Sequence, residues 1–258
     1  MTKAPLVGIT KTRLTPPLTA KEAAKLSACF LRDTCDNITR VGLDGTTEGV
    51  AVYTPLGAEA FFDGLLPASF GLVGQRGSSF GDRLLNAVED LLLLKYDSLC
   101  LIDSDSPTLP PAFLQAAVSA LARPGDRMVL GPAKDGGYYL IGLKKAHRPV
   151  FENIDWSTSK VLTQTIERAQ QIKLPITFLP TWFDVDDAAT LRDLCDELFL
   201  KNGKPPVPPA PVAYRAPYTR AYLTQLLKTD IGQRIWRNAA GFDRADSGGS
   251  RRCDLTME

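Results

Sequence analysis

The sequence predicts a layered α/β fold built on a mixed, mostly parallel sheet. Segments with apolar residues at helical spacing alternate with short apolar runs that are typical of strands. The run at 98–102 is almost continuously apolar, as expected of a parallel strand that is buried on both faces. Two further runs flank Asp135 and its following glycines as a hairpin, so one strand is expected to be antiparallel.

Six helices and six strands follow from this pattern. The first helix begins at Thr19, which forms a capping box with Glu22, and the fourth is expected to begin with Ser157 as its N-cap. The predicted helices cover 19–38, 78–96, 110–123, 157–172, 187–200 and 218–238. The predicted strands lie within 49–55, 69–75, 98–102, 126–133, 138–143 and 176–180.

The length and composition suit one sizeable α/β domain, or one domain plus an appendage. The chain has 258 residues, of which 44% are apolar and 23% charged, and this is enough to bury a substantial core. We expect a domain over 1–200, a proline-rich linker over 201–217, a helix over 218–238 and a disordered tail over 239–258.

Charge and hydropathy exclude several classes of partner. The formal net charge of +1 gives no field that would favour nucleic acid or an anionic membrane as the main partner. No apolar run approaches the roughly 20 residues of a membrane span. The amino terminus has no signal pattern, and we expect a cytoplasmic protein.

The scarcity of histidine limits the chemistry that the chain can perform. His147 is the single histidine, so Ser-His-Asp catalysis and histidine-rich metal sites are excluded. The five cysteines lack metal-type spacing and are expected to be reduced thiols. Chemistry must therefore rely on carboxylates, Lys, Arg, Tyr or a bound ion.

Two pairs of aspartates follow predicted strands. Asp103 and Asp105 are spaced i, i+2 after the run at 98–102, so they can face one cation. Asp184 and Asp186 form a second pair downstream. Oxygen ligands without nearby His or Cys favour Mg²⁺ or Mn²⁺. A solvated turn at the first pair, and helix capping by Asp186 or Asp187 at the second, are the alternatives.

Two glycine-containing loops are candidate nucleotide contacts. Gly8, Lys11 and Arg13 precede the first helix and could cradle phosphates, although the stretch is not a P-loop. Gln75 lies among glycines and could read a nucleobase. The alternatives are solvated cations in the first loop and a flexible turn in the second.

The hairpin turn is the last candidate site. Asp135 is followed by Gly136 and Gly137, a combination that is common in tight turns. Asp135 could face a sugar hydroxyl or an acceptor. The alternative is a turn with no role beyond joining two strands.

Five motifs in order carry a resemblance to a known family: KAPLVGITKTRLTPPL, DSDSPTLP, LGPAKDGGYYLIGL, IDWSTSKVL and FDVDDAATL. Together they resemble the GT-A-type glycosyltransferase family DUF2064, some of whose members are named for arsenosugar biosynthesis. The chain is also similar to phospholactate guanylyltransferase-like nucleotidyltransferases. The resemblance covers residues 1 to about 198 and implies a Rossmann-like, three-layer α/β/α nucleotide-diphospho-sugar transferase fold.

The resemblance also implies roles for site residues. Lys11 and Arg13 match the phosphate-binding loop, Asp105 matches the metal-binding aspartate, and Asp135 to Tyr138 match the turn on the acceptor side. Asp184 and Asp186 match the late acidic motif. We therefore expect Mg²⁺ or Mn²⁺ as cofactor, with Asp105 and Asp135 as catalytic residues.

The resemblance implies a metal-dependent glycosyltransferase that moves a sugar from a nucleotide-sugar donor to a small-molecule acceptor. One alternative is a nucleotidyltransferase that acts on a nucleoside triphosphate and a phosphorylated acceptor. The other is a catalytically impaired nucleotide-binding homologue, whose linker and carboxyl-terminal helix dock a partner or a second copy as a homodimer.

The start of the chain departs from the family pattern. Family members carry about half a dozen apolar residues ahead of the stretch that corresponds to Lys3-Ala4-Pro5, and these residues form the central first strand. Here the chain starts at Met1. The first strand is therefore expected to be missing or truncated, with sheet edges left unpaired beside it.

Overall fold

The computed structural model of the chain describes residues 1–45, 47–200 and 211–240. The strands in these ranges are β1 Thr2–Lys3, β2 Val50–Thr54, β3 Gly71–Gly74, β4 Leu99–Ile102, β5 Met128–Pro132, β6 Tyr138–Leu143 and β7 Ile176–Phe178. The helices are α1 Ala20–Val41, α2 Phe80–Leu93, α3 Pro111–Ala122, α4 Val161–Gln171, α5 Ala188–Cys195, α6 Pro217–Leu226 and α7 Asp230–Ala240.

The strands form two groups, one parallel and one mixed. In the first group the order is β1-β2-β3, and both ladders are parallel. In the second the order is β4-β6-β5-β7, where β6 runs antiparallel to both neighbours and β5 is parallel to β7. The predicted α/β class and the antiparallel hairpin of β5 and β6 are confirmed.

The two groups of strands meet at the start of the chain. β1 pairs with β2 over two residues, and the Met1 amino group donates to the carbonyl oxygen of Ile102, at the end of β4, over 2.7 Å. Burial lowers the pKa of this amino group. A cavity of about 190 Å³ is lined by side chains of β2 and β4, among them Val50, Val52 and Leu101.

Helices cover both faces of the mixed group and complete three layers. Successive side chains of a strand point to opposite faces. Leu99 and Leu101 of β4 accordingly pack with residues of α2 and α4, whereas Cys100 and Ile102 pack with residues of α3 and the end of α1. The apolar residues of β4 are thus divided between two cores, which is why the run in the sequence is continuous.

The sequence predicted the N-cap of α1 correctly and the N-cap of α4 incorrectly. The capping box of α1 is confirmed: Glu22 N–H donates to Thr19 Oγ1 over 3.3 Å, and Thr19 N–H donates to Glu22 Oε2 over 2.8 Å. The predicted Ser157 cap is wrong, because Ser157 has φ 64° and the cap position of α4 is Lys160. A turn at 157–160 precedes the helix and delays its start.

The carboxyl-terminal region differs from the prediction. The helix expected over 218–238 is two helices, α6 and α7. Part of the expected linker is packed rather than separate, since Tyr214 and Ala216 are buried in the same core as α1 and α5. Residues 201–210 and 241–258, which include most of the expected linker and tail, lie outside the described residues.

Helix α7 packs against the segment that leads into α1. Ile231 and Ile235 are buried in one cluster with Leu14 and Leu18. Arg234 Nη1 donates to the carbonyl oxygen of Pro17 over 2.9 Å. The last described helix therefore supports a loop close to the start of the chain.

A buried aspartate connects α1 to α6. The side chain of Asp33 is fully buried, and its two oxygens accept the backbone N–H groups of Tyr218 and Thr219 over 3.0 and 2.7 Å. Burial raises the pKa of Asp33 to about 6. The carboxylate supplies acceptors that the first turn of α6 cannot provide for itself.

Replacing this carboxylate should destabilise the protein. Asp33→Ala leaves two buried N–H groups without acceptors, and we expect a loss of about 2 to 4 kcal/mol in the free energy of unfolding. Urea denaturation measures the loss. Asp193→Ala is the control, because Asp193 lies exposed on α5 and should change stability by less than about 0.5 kcal/mol. Equal effects of the two substitutions would contradict the anchoring role of Asp33.

Candidate active site

Three loops that follow strands converge at the carboxyl edge of the sheet. The loop after β1 carries Lys11, the loop after β4 carries Asp105, and the segment between β7 and α5 carries Asp186. Lys11 Nζ lies 2.9 Å from Asp105 Oδ2 and 3.0 Å from Asp186 Oδ1. The three residues form one charged cluster at the edge where open α/β sheets bind ligands.

The ammonium group of Lys11 is enclosed by oxygen atoms. It also donates to the carbonyl oxygen of Val185 over 2.6 Å, and it lies 5.8 Å from the ring centre of Phe30. The side chain is only 5% exposed. Burial opposes the charge, but Asp105 and Asp186 outweigh it and raise the pKa of Lys11 above its ordinary value. Lys11 is therefore a charged, buried ammonium at neutral pH.

Arg13 remains open to solvent in the same loop. Its side chain is 73% exposed, and Nη1 lies 3.8 Å from Asp186 Oδ2. Gly8 has φ +78° and open space where a side chain would begin, so the turn rather than a close contact requires glycine there. Of the two cations predicted to bind phosphate, Arg13 is exposed and Lys11 is engaged with carboxylates.

Asp103 serves the turn after β4. Its Oδ1 accepts the N–H groups of Asp105 and Ser106 over 2.9 and 3.1 Å, and its Oδ2 accepts the Ser106 hydroxyl over 3.3 Å. Burial and the charge of Asp105 raise its pKa to about 7. The turn separates the roles of the two aspartates that the i, i+2 spacing had predicted to share a cation.

The aspartates of the late acidic motif also have separate roles. Asp187 is the N-cap of α5 and accepts the N–H groups of Ala189 and Thr190 over 3.0 and 2.9 Å. Asp186 is left to face Lys11, while its own N–H donates to Thr190 Oγ1 over 2.9 Å. Asp184 is half-buried; burial first, then the charges of Asp135 and Asp186, raises its pKa to about 6.

The turn between β5 and β6 brings Asp135 to the same edge. Asp135 Oδ1 accepts the N–H of Gly137 over 2.8 Å, and the side chain is exposed. Gly136 has φ +91°, and a side-chain carbon there would lie 2.3 Å from the carbonyl oxygen of Ser159. The turn requires glycine because it packs tightly against the segment that precedes α4.

Hydrogen bonds to two neighbouring strands fix the side chain of Gln75, which directly follows β3. Its amide nitrogen donates to the carbonyl oxygen of Val52 over 3.0 Å and to that of Thr2 over 3.4 Å. These bonds tie the end of β3 to β1 and β2. The amide donors that were predicted to read a nucleobase are thus occupied by the backbone of the sheet.

The predicted ligands of Mg²⁺ or Mn²⁺ are the carboxylates of Asp103, Asp105, Asp184 and Asp186. Among residues 1–45, 47–200 and 211–240, no group of three or more His, Cys, Asp or Glu side chains is arranged to hold a metal ion. The oxygens of Asp103 accept N–H and hydroxyl groups of its own turn. The ammonium of Lys11 lies between Asp105 and Asp186. In this arrangement the four predicted ligands do not fit a divalent cation.

The pairing of Lys11 with two aspartates leaves no signal in the local sequence. Asp105 and Asp186 were predicted as metal ligands rather than as partners of Lys11. Lys11 and Asp186 are 175 positions apart, and no local spacing links them. Phe30, whose ring lies beside the ammonium, is an apolar residue of α1, and its place in the sequence gives no signal of this contact. The role of Thr190 at the start of α5 could have been predicted from the sequence, because Asp187 and Thr190 have the spacing of a capping box.

Solved structures resemble the chain to different degrees. A protein from Desulfovibrio desulfuricans G20, provisionally assigned as a nucleotide-diphospho-sugar transferase, is 28% identical with a TM-score of 0.73. That similarity covers 90% of this chain and 94% of the other. CMP:2-keto-3-deoxy-manno-octonic acid synthetase in complex with CTP is 13% identical with a TM-score of 0.42, over 64% and 85% of the two chains. Rv0371c from Mycobacterium tuberculosis H37Rv is 15% identical with a TM-score of 0.41, over 75% and 95%.

The first of these structures has the fold described above, whereas the other two are too distant to support an argument. No curated protein matches the chain. Among the described residues, none of the helices has the length and apolar character needed to cross a membrane.

Residues 37–158 match the family described as uncharacterized proteins conserved in bacteria, DUF2064. The family match over these residues is the one that the motifs predicted, and the fold is Rossmann-like, as in the similar Desulfovibrio protein.

Proposed function

We propose that the chain is a GT-A-type glycosyltransferase that moves a sugar from a nucleotide-sugar donor to a small-molecule acceptor. The observation that carries this proposal is the meeting of Lys11 and Arg13 with Asp105 and Asp186 at the carboxyl edge of the sheet. The assignment of the Desulfovibrio protein as a nucleotide-diphospho-sugar transferase supports the class of substrate.

The loop of Gly8, Lys11 and Arg13 is proposed to receive the donor diphosphate. Arg13 is the exposed cation of the loop, and a guanidinium can donate two parallel hydrogen bonds to phosphate oxygens. As the bond between the sugar and the diphosphate breaks, negative charge grows on the departing nucleoside diphosphate. A fixed positive charge beside it lowers the barrier.

Asp135 is proposed to act on the acceptor. Its carboxylate is exposed at the turn between β5 and β6, and it lies near enough to Asp184 to raise that residue's pKa. Asp135 would accept the proton of the acceptor hydroxyl while the hydroxyl oxygen bonds to the anomeric carbon. The bond from that carbon to the diphosphate oxygen breaks, and the nucleoside diphosphate leaves with both electrons.

The predicted need for Mg²⁺ or Mn²⁺ stays a separate prediction. Lys11 lies between Asp105 and Asp186, two of the carboxylates that would ligate the ion, so Arg13 and Asp135 carry the proposed steps. Turnover with EDTA, compared with turnover in added Mg²⁺ or Mn²⁺, decides the requirement directly.

A panel of nucleotide sugars tests the proposal. The protein is incubated with UDP-, GDP-, ADP-, CDP- and CMP-linked sugars, with and without simple acceptor alcohols, and released nucleotide is measured. We expect nucleotide release from at least one donor, and Asp135→Asn should reduce it by about 100-fold or more. The absence of both release and binding across the panel would overturn the proposal.

The same experiment separates the two alternatives. Nucleoside triphosphates with phosphorylated acceptors form a second arm, in which pyrophosphate release would indicate nucleotidyl transfer. A third outcome, a rise in melting temperature with nucleotide but no release in either arm, would indicate an impaired nucleotide-binding homologue.

A further inference from the structure

The environment of Lys11 resembles that of a bound metal ion. Three oxygen atoms from two loops surround its ammonium, namely Asp105 Oδ2 at 2.9 Å, Asp186 Oδ1 at 3.0 Å and the carbonyl oxygen of Val185 at 2.6 Å. Two carboxylates and a carbonyl are ligands that hard divalent cations choose. The ammonium thus holds together the loops that a metal would otherwise have to connect.

Two features that cost free energy accompany the position of the ammonium group. Lys11 adopts a left-handed backbone conformation, with φ 54° and ψ 40°, which is costly for a residue with a side chain. Its side chain is 5% exposed, so the ammonium has lost most of its hydration. A lysine that only attracts a phosphate from solvent would require neither feature.

Lys11 and a divalent cation cannot use these oxygens together. A Mg²⁺ ion requires ligand oxygens at about 2.1 Å in octahedral geometry, in the space that Nζ occupies. We propose that Lys11 is the resident cation of this site, and that it competes with divalent metal ions for the oxygens of Asp105, Asp186 and Val185. The proposal concerns cation binding alone and holds whether or not the chain transfers sugars.

Charge predicts the direction of the competition. The two carboxylates carry two negative charges, and Lys11 neutralises one of them. If a metal ion displaced the ammonium, the positive charge of Lys11 would remain close to that ion. Arg13, which lies 3.8 Å from Asp186, would be a second positive charge beside it. Replacing Lys11 with an uncharged residue removes the ammonium from among the three oxygens. Among the described residues, it leaves Asp105 without an ion-pair partner and Asp186 with only the exposed Arg13, so metal affinity should increase.

Mn²⁺ binding to the nucleotide-free protein tests the proposal. Free Mn²⁺ is measured by electron paramagnetic resonance during titration of the wild type and Lys11→Met. We expect weak binding by the wild type and binding by Lys11→Met that is about 100-fold tighter. Adding Asp105→Asn to Lys11→Met should return the affinity to the weak level, because it removes one ligand oxygen charge.

Arg13→Met is the matched control. It removes a cation of the same loop that does not lie among the oxygens of Asp105, Asp186 and Val185, so Mn²⁺ affinity should change by no more than a few-fold. The proposal is overturned if the wild type and Lys11→Met bind Mn²⁺ equally. It is also overturned if Lys11→Met folds but still binds no Mn²⁺, since the oxygens would then not form a metal site.

A measurement on the wild type keeps the test decisive if Lys11→Met fails to fold. The Nζ resonance of Lys11 can be followed in protein labelled with ¹⁵N-lysine, because a buried ammonium exchanges its protons slowly. We expect millimolar Mg²⁺ to leave this resonance unchanged. Loss or a large shift of the resonance at micromolar Mg²⁺ would mean that the metal displaces the ammonium readily, and the proposal would be wrong.

Discussion

Arg13→Gln is expected to lower the rate of nucleotide release by about 100-fold to 1,000-fold, the range found when one charge-stabilising donor is removed from an active site. Lys11 is held by Asp105 and Asp186, so Arg13 is the exposed cation of this loop that can meet the leaving diphosphate. The fold should be unaffected, because the Arg13 side chain is 73% exposed and exposed ion pairs contribute little to stability.

The control for Arg13 is an arginine remote from the candidate site. Arg123 is exposed and lies directly after α3. Arg123→Gln should leave both nucleotide release and the melting temperature unchanged. If Arg13→Gln and Arg123→Gln release nucleotide at the same rate as the wild type, the diphosphate does not bind at the Gly8–Arg13 loop.

A chain lengthened by four apolar residues ahead of Met1, such as Val-Ile-Val-Val, should be markedly more stable. The added strand would continue β1 between β2 and β4, and would fill the cavity of about 190 Å³ lined by both strands. Apolar burial of two or three such side chains, about 3 to 9 kcal/mol, roughly offsets the ordering of four residues, about 4 to 8 kcal/mol. The new ladder hydrogen bonds to β2 and β4, about 1 kcal/mol each, leave a net gain of about 2 to 4 kcal/mol. The expected rise in melting temperature is about 5 to 10 °C.

The buried amino group adds to this expectation. In the chain that begins at Met1, burial disfavours the charged terminal amine and lowers its pKa. An added residue converts this amine into a peptide N–H, which can still donate to Ile102 without a charge. Calorimetry measures the change in melting temperature.

An extension of equal length made from Gly and Ser is the control for the apolar one. It removes the buried amine but offers no side chain to the cavity, so its effect should be clearly smaller. Hydrogen exchange of the β2 and β4 amides gives a second measure, since a new strand between them should slow exchange. An apolar extension that matches the Gly-Ser one in both measurements would refute the prediction.

Much of the fold could be predicted from the sequence because its signals are local. The capping box at Thr19 and Glu22 fixes the start of α1 within four residues of chain, and the apolar run at β4 reflects cores on both faces. The predicted start of helix α4 is too early, because a turn over 157–160 precedes the helix and packs against Gly136 through Ser159. That contact joins segments about 20 positions apart and leaves no periodic pattern.

The candidate site was predictable in location but not in its internal pairing. Strand ends indicated that Asp105 and Asp186 would lie at one edge of the sheet, and the family resemblance implied that Lys11 belongs to the phosphate-binding loop of the same site. The i, i+2 spacing of the first pair could not reveal that Asp103 is used by its own turn. It also could not reveal that Lys11 points into the acidic cluster, because this depends on three loops whose relative positions only the complete fold determines.

The packing of α7, the last described helix, couples it to the loop of the candidate site. Ile231, Ile235 and Arg234 contact the segment that contains Leu14, Leu18 and Pro17, only a few residues after Arg13. Whatever shifts α7, whether a bound protein or a covalent modification, would change the free energy of the loop that is proposed to receive the donor. Such coupling is reciprocal, so a bound nucleotide would in turn strengthen or weaken the attachment of α7.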